Sequence, residues 1–232
     1  MKTVSPSLDG IIPCNPIEAV MRLTQFVDVQ MPYRLGSGGY VKGPVDAPWT
    51  ADKFGIVGSD CLGAITHAYA LSRHRPGFNR NAYGAWDILD VEDDINSNSL
   101  IGDARHKADL FVELAIGELL QVGDVLAYPT IKLVVEHSPS PTMVPGFKDW
   151  MRHADGSIME WIGHGELVKN PNNVRVGGPY TNAQVIQCYG GNNRRPAIRM
   201  TDASAMDHHD NTWPKLEHRT TVLRLNPAHP TR

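Results

Sequence analysis

The segment Asp60-Cys61-Leu62-Gly63 carries the residue types best suited to covalent chemistry. The run 59–72 places Ala64, Ile65, Ala68 and Leu71 on one helical face, which puts Cys61 at a helix start. A helix N-terminus carries partial positive charge and free backbone N–H groups. A thiol placed there is expected to ionise more readily and to be partly exposed. The same N–H groups can receive the oxyanion formed when a thiolate attacks a carbonyl. The pattern is equally compatible with a buried, inert cysteine on a helix.

A nucleophilic thiol needs a base. His164 lies in the strand-like run Trp161-Ile162-Gly163-His164-Gly165-Glu166-Leu167-Val168. Glycines flank it, which suggests room around the ring, and strand alternation puts His164 on one face with Ile162 and Glu166. A third group should orient the imidazole. Gln187 is the polar residue in the apolar run Gln184-Val185-Ile186-Gln187-Cys188, and its amide oxygen can accept from a ring N–H. Asn192 and Asn193, just beyond, are alternatives. Cys188 alternates to the opposite face, away from such a site. A structural strand histidine is the competing account of His164.

These residues need a scaffold of helices first and strands later. Asn15-Pro16 reads as a helix start, with a capping side chain and then proline at the first helical position. The helix over 16–27 is expected to bury Ile17, Val20, Met21 and Thr24. The stretch 32–49 is rich in glycine and proline and reads as a loop. A short helix near 100–108 precedes strand-like segments at 111–114, 124–128, 157–168, 183–188, 197–200 and 221–225. The fold class expected is α+β, with N-terminal helices packed on a mostly antiparallel sheet. One domain over 1–232 is expected, with inserted loops at about 73–110 and 131–156 and a frayed tail from Asn226.

The bulk properties agree with a packed domain. Of 232 residues, 41% are hydrophobic and 20% charged, against the composition of a disordered chain. The net charge of −3 gives no basic excess for nucleic acid. Cys14, Cys61 and Cys188 are odd in number and match no zinc spacing, so reduced thiols are expected. His208-His209-Asp210 reads as a solvated loop rather than a metal site. His137, followed by Ser138-Pro139, lacks the strand context of a base. No secretory signal or membrane span is visible, so synthesis in the cytoplasm is expected, with delivery outside by another route.

The order of these motifs resembles the NlpC-type, papain-like cysteine peptidases of bacterial cell walls, in particular phage-encoded members. Pro32-Tyr33-Arg34-Leu35-Gly36 resembles the Pro-Tyr-x-x-Gly segment ahead of the nucleophile. Asp60-Cys61-Leu62-Gly63 resembles Asp-Cys-Ser-Gly, Gly123-Asp124-Val125-Leu126 resembles Gly-Asp-Leu-Val, and Gly163-His164-Gly165 resembles the Gly-His-Val strand of the base. The resemblance spans about residues 16 to 200. It departs at Leu62, at Gly165, at Gln187 and in the long gap between Cys61 and His164. It implies an endopeptidase acting on peptidoglycan stem peptides, with Cys61, His164 and Gln187 catalytic, Tyr33 and Asp60 lining the substrate and oxyanion region, and no metal or organic cofactor. It implies phage virion or tail proteins as candidate partners, and neither nucleic acid nor membrane. A virion-associated module without turnover, and an acyltransferase using the same dyad, fit the same motifs.

Iodoacetamide is therefore expected to inactivate the protein by labelling Cys61 ahead of Cys14 and Cys188, and a chelator to leave activity unchanged. Mass-spectrometric mapping of the label, beside activity after chelation, checks this. Preferential labelling of Cys14 or Cys188 defeats the assignment.

Overall fold

The computed structural model describes residues 13–28, 30, 33, 59–71, 97–106, 110–129, 163–189, 198–212, 219–229 and 231. In chain order these form α1 (Pro16–Asp28), α2 (Cys61–Ala68), α3 (Ser97–His106), β1 (Phe111–Glu113), β2 (Val125–Tyr128), β3 (His164–Asn170), β4 (Gln184–Cys188), β5 (Ile198–Asp202), α4 (Ser204–Thr212) and β6 (Thr221–Leu225). The six strands make one antiparallel sheet in the order β1-β6-β2-β3-β4-β5. The class is α+β with a mostly antiparallel sheet. The expected loops at 32–49 and 131–156 lie almost entirely outside the described residues, as do His137, Asn192 and Asn193.

Helix α1 starts as its sequence directs. The Asn15 side chain accepts from the Glu18 N–H at 3.0 Å, satisfying one donor of the first turn. Its buried face differs from the expected one. Ala19, Val20, Leu23 and Phe26 are buried, whereas Ile17 and Met21 are 58% and 64% exposed. Two apolar stripes compete on this helix, and the one containing the aromatic Phe26 wins the core, where its ring stacks on His67 at 4.4 Å.

Period-two alternation divides the sheet into two faces. On one, Val125, Ala127, Leu167, Ile186, Cys188 and Leu223 join the buried residues of α1, α2 and α3. On the other, Leu126, Val168, Val185 and Val222 pack with Met206 of α4 and with Val174, Val176 and Tyr180 from the β3–β4 connection. Helix α3 falls within 73–110 and sends Leu100, Ile101 and Ala104 into the first core. The 208–210 triplet is no solvated loop. It lies on α4, with His209 and Asp210 buried, because the helix covers the second face of the sheet. The expected fraying at Asn226 also gives way to structure, since its N–H donates to the Leu110 carbonyl at 2.9 Å.

A tight corner leads into β2. Gly123 adopts φ +86°, and a Cβ there would come within 2.4 Å of Pro16 Cβ and 2.9 Å of Pro16 Cα. The Tyr69 hydroxyl, at the end of α2, donates to the Gly123 carbonyl. Asp124 accepts from Gln121 N–H at 2.7 Å and from Arg224 Nε and Nη2, each at 2.8 Å. Burial pushes the Asp124 carboxyl up, and the Arg224 guanidinium opposes that.

Gly123→Ala should destabilise the fold by roughly 2–4 kcal/mol, combining left-handed strain with overpacking against Pro16. A urea titration with a stability loss below 1 kcal/mol would contradict this reading of the corner.

Candidate functional site

Helix α2 is held by a complete set of end bonds. Asp60 is its N-cap, accepting from the Gly63 N–H at 2.7 Å, while its carbonyl takes the Ala64 N–H at 2.9 Å. At the other end Ala70 sits at φ 56°, and Leu71 N–H and Ala70 N–H bond back to Thr66 and His67 carbonyls. That is a Schellman closure with alanine where glycine is commoner. The N–H groups of Cys61 and Leu62 stand in the first turn, where no helical carbonyl can reach them. Every residue of α2 is buried, including Cys61 at 8% exposure. The thiol is thus more enclosed than its helix-start position led us to expect, because α2 is wedged between α1 and β3 instead of lying on the surface.

The contact between α2 and β3 fixes the site. Gly165 faces the helix, and a Cβ there would lie 3.6–3.7 Å from Leu62 and Ile65. Those are ordinary contact distances, so the glycine marks a close seat and leaves no special room around the histidine ring. Alternation then turns His164 and Glu166 to the other face. The two groups meet because the N-terminus of α2 reaches the beginning of β3, where Cys61 Sγ lies 4.0 Å from the Gly163 carbonyl oxygen.

His164 is enclosed on several sides. Gln187 Oε1 is 3.3 Å from Nε2, and since an amide oxygen only accepts, Nε2 is the donor. Cys61 is the ring's other hydrogen-bonding neighbour. The ring lies 5.7 Å from Tyr128, across the β2–β3 ladder, and 5.7 Å edge-on from Tyr189. Tyr128 stacks in turn on His209 at 3.8 Å. Burial by itself would lower the basicity of His164; hydrogen bonding to Cys61 and the nearby Glu166 carboxyl outweigh it, and the pKa is pushed up to about 10.

The structure thus brings together Cys61, His164 and Gln187. It gives Asp60 a capping role beside them, and it joins Tyr33 to the same region through a backbone bridge to Ser59. Tyr33 is partly buried against the first core. Cys14 and Cys188 are buried, their thiols donating to the Ala68 and Ser59 carbonyls. Burial pushes the Cys188 thiol up. One residue of the site was missed as a participant. Glu166 is fully buried, with Oε1 3.4 Å from His164 Nε2. Its position two residues after His164, on the same strand face, was the available signal. Among the described residues no group of three metal-binding side chains converges, and no helix is long and apolar enough to cross a membrane. An open cleft of about 660 Å³ on the β1–β6 side, lined by Arg105, Glu113 and Ile116 among others, contains none of these residues.

No protein-family model, no curated protein and no solved structure matches the chain. The site therefore stands on its own geometry.

Asp60→Ala should cost about 1–2 kcal/mol through the lost cap, and Asp60→Asn, which keeps an acceptor, a fraction of that. Urea melts of both variants check it; equal losses would show that the carboxylate charge, not the cap, holds α2.

Proposed function

We propose that the chain is an NlpC-type, papain-like cysteine hydrolase that cuts peptidoglycan stem peptides, acting as a phage lysis or virion protein. The observation that carries this is the meeting of Cys61, at a capped helix N-terminus, with His164, whose Nε2 is held by Gln187 on the neighbouring strand. A structural histidine needs neither a thiol beside it nor an orienting amide. The motif order from Tyr33 through His164 supplies the substrate class.

The chemistry follows from the placement. His164 holds the Cys61 proton in an ion pair, and the thiolate attacks the scissile carbonyl, forming a C–S bond. The carbonyl electrons move onto oxygen, where the Cys61 and Leu62 N–H groups stand ready as donors. Collapse of the adduct expels the amine, which leaves with the proton held on His164. A water, deprotonated by the same ring, then cleaves the thioester and regenerates the thiol. Gln187 keeps Nε2 as the donor side throughout, which leaves Nδ1 as the ring nitrogen able to exchange a proton with sulfur.

Digestion of purified peptidoglycan with mass analysis of the fragments tests the substrate class. Cleaved stem peptides are expected, and intact peptides after prolonged digestion would sink the proposal. Cys61→Ala should abolish turnover with the fold unchanged. His164→Ala should lower the rate by ~10²–10⁴-fold. Gln187→Ala should be milder than either, because it relaxes a ring orientation without removing a proton carrier. A Cys61→Ala protein with wild-type turnover would remove the nucleophile.

A further inference from the structure

Glu166 has no solvent contact, and neither of its carboxylate oxygens has a hydrogen-bond partner among the described residues. A buried carboxyl without partners is strongly disfavoured unless a nearby charge offsets its desolvation. The nearest group that can supply positive charge is His164, 3.4 Å from Glu166 Oε1 at Nε2. The contact is close enough for an ion pair, but it lies off the direction of the ring N–H, which Gln187 engages at 3.3 Å. Glu166 and Gln187 are direct partners in the β3–β4 ladder, so both side chains project from the same face toward the same nitrogen.

We propose that Glu166 is a positioning residue for His164: its buried carboxylate supplies the negative charge that keeps the imidazole protonated beside Cys61, while Gln187 fixes the ring's orientation. This rests on the cysteine-hydrolase reading of the site and divides one role between two side chains. The amide gives direction without charge, and the carboxylate gives charge without a directed bond.

The surroundings favour that division. The other titratable or charged groups about the pair are Cys61 on α2, Tyr128 on β2, Tyr189 after β4, Arg199 and Asp202 on β5, and Asp207, His209 and Asp210 on α4. Asp207 is held by the Tyr180 and Thr181 N–H groups, and Asp210 by the Thr220 N–H and, at 3.5 Å, Arg219. Arg199 is exposed and lies 6.0 Å over the Tyr189 ring. Burial raises the Glu166 pKa, His164 lowers it, and Asp202 and Asp207 raise it. Protonated His164 is thus the group that favours ionised Glu166. In the other direction, a carboxylate favours the charged imidazole, so the thiolate–imidazolium pair persists to higher pH than a lone dyad would allow. Loss of Glu166 charge should bring the alkaline limit down.

Iodoacetate tests this in the full chain, because an anionic reagent is drawn to a thiolate flanked by an imidazolium. In wild type the rate of Cys61 carboxymethylation should stay high to about pH 10 and fall above it. In the isosteric Glu166→Gln variant that alkaline limb should move down by ~1–3 pH units, the size of an opposite-charge effect at this distance. Glu166→Asp, which retains the charge, should recover part of the shift. An unmoved limb in folded Glu166→Gln overturns the proposal and leaves the hydrolase reading intact. Equal carboxymethylation rates in wild type and His164→Ala would take both down. Should Glu166→Gln fail to fold, NMR titration of the His164 ring in Cys61→Ala isolates the carboxylate. A midpoint more than one unit above the ordinary value of about 6.5 supports the proposal, and any lower midpoint overturns it.

Discussion

The seating of α2 against β3 is the constraint on which the rest of the structure depends. Leu62 and Ile65 press on Gly165, while the two neighbouring positions, His164 and Glu166, project from the other side of the strand. A strand is one residue thick, so any slip in its register would exchange the helix seat and the polar pair. The pairing of β3 with β2 on one side and β4 on the other prevents that slip. The thiol reaches the histidine only because the N-terminus of α2 extends to the beginning of β3.

The supporting elements are tied to that contact through one corner. Gly123 sits against Pro16 at the head of α1, its carbonyl takes the Tyr69 hydroxyl from the end of α2, and the next residue grips Arg224 of β6. One turn therefore links two helices and two strands. The fork between Arg224 and Asp124 is bidentate and largely enclosed, the geometry in which an ion pair contributes more than a surface pair does. The spacing between α1, α2 and the sheet follows from this corner, and with it the reach of Cys61 toward His164.

Polar burial on the α4 side of the sheet has an energetic consequence. His164, Glu166, Gln187, His209 and Asp210 are all buried, beside the aliphatic and aromatic residues of the second core. Replacing such groups with apolar ones often raises stability. Sites that perform proton chemistry commonly keep buried, coupled titratable groups at this cost. The raised His164 pKa gives a contribution to folding that is complete below about 6.5 and is lost as pH rises through about 10. Glu166 acts in the same sense: its folded pKa is raised by burial, so the carboxyl is easiest to bury when protonated and its burial costs more as pH rises.

Local signals in the chain were sufficient for what depends on neighbours in sequence. The Asn15-Pro16 cap, the helix that opens at Cys61, the run 221–225 and the α+β class follow from capping chemistry and from periods of 3.6 and 2, whereas the choice of Gln187 over Asn192 and Asn193 as a neighbour of His164 waited on the β3–β4 register. What required the tertiary structure was every choice between locally equivalent options. Which stripe of α1 is buried depended on where His67 awaited Phe26. Whether His209 and Asp210 are solvated depended on α4 lying over the sheet, an arrangement 209–210 cannot encode locally. The enclosure of Cys61 came from the wedge between α1 and β3. Glu166 shares the histidine's face in any strand, but only burial beneath α4, far along the chain, takes its carboxylate out of water and makes the histidine its nearest source of charge.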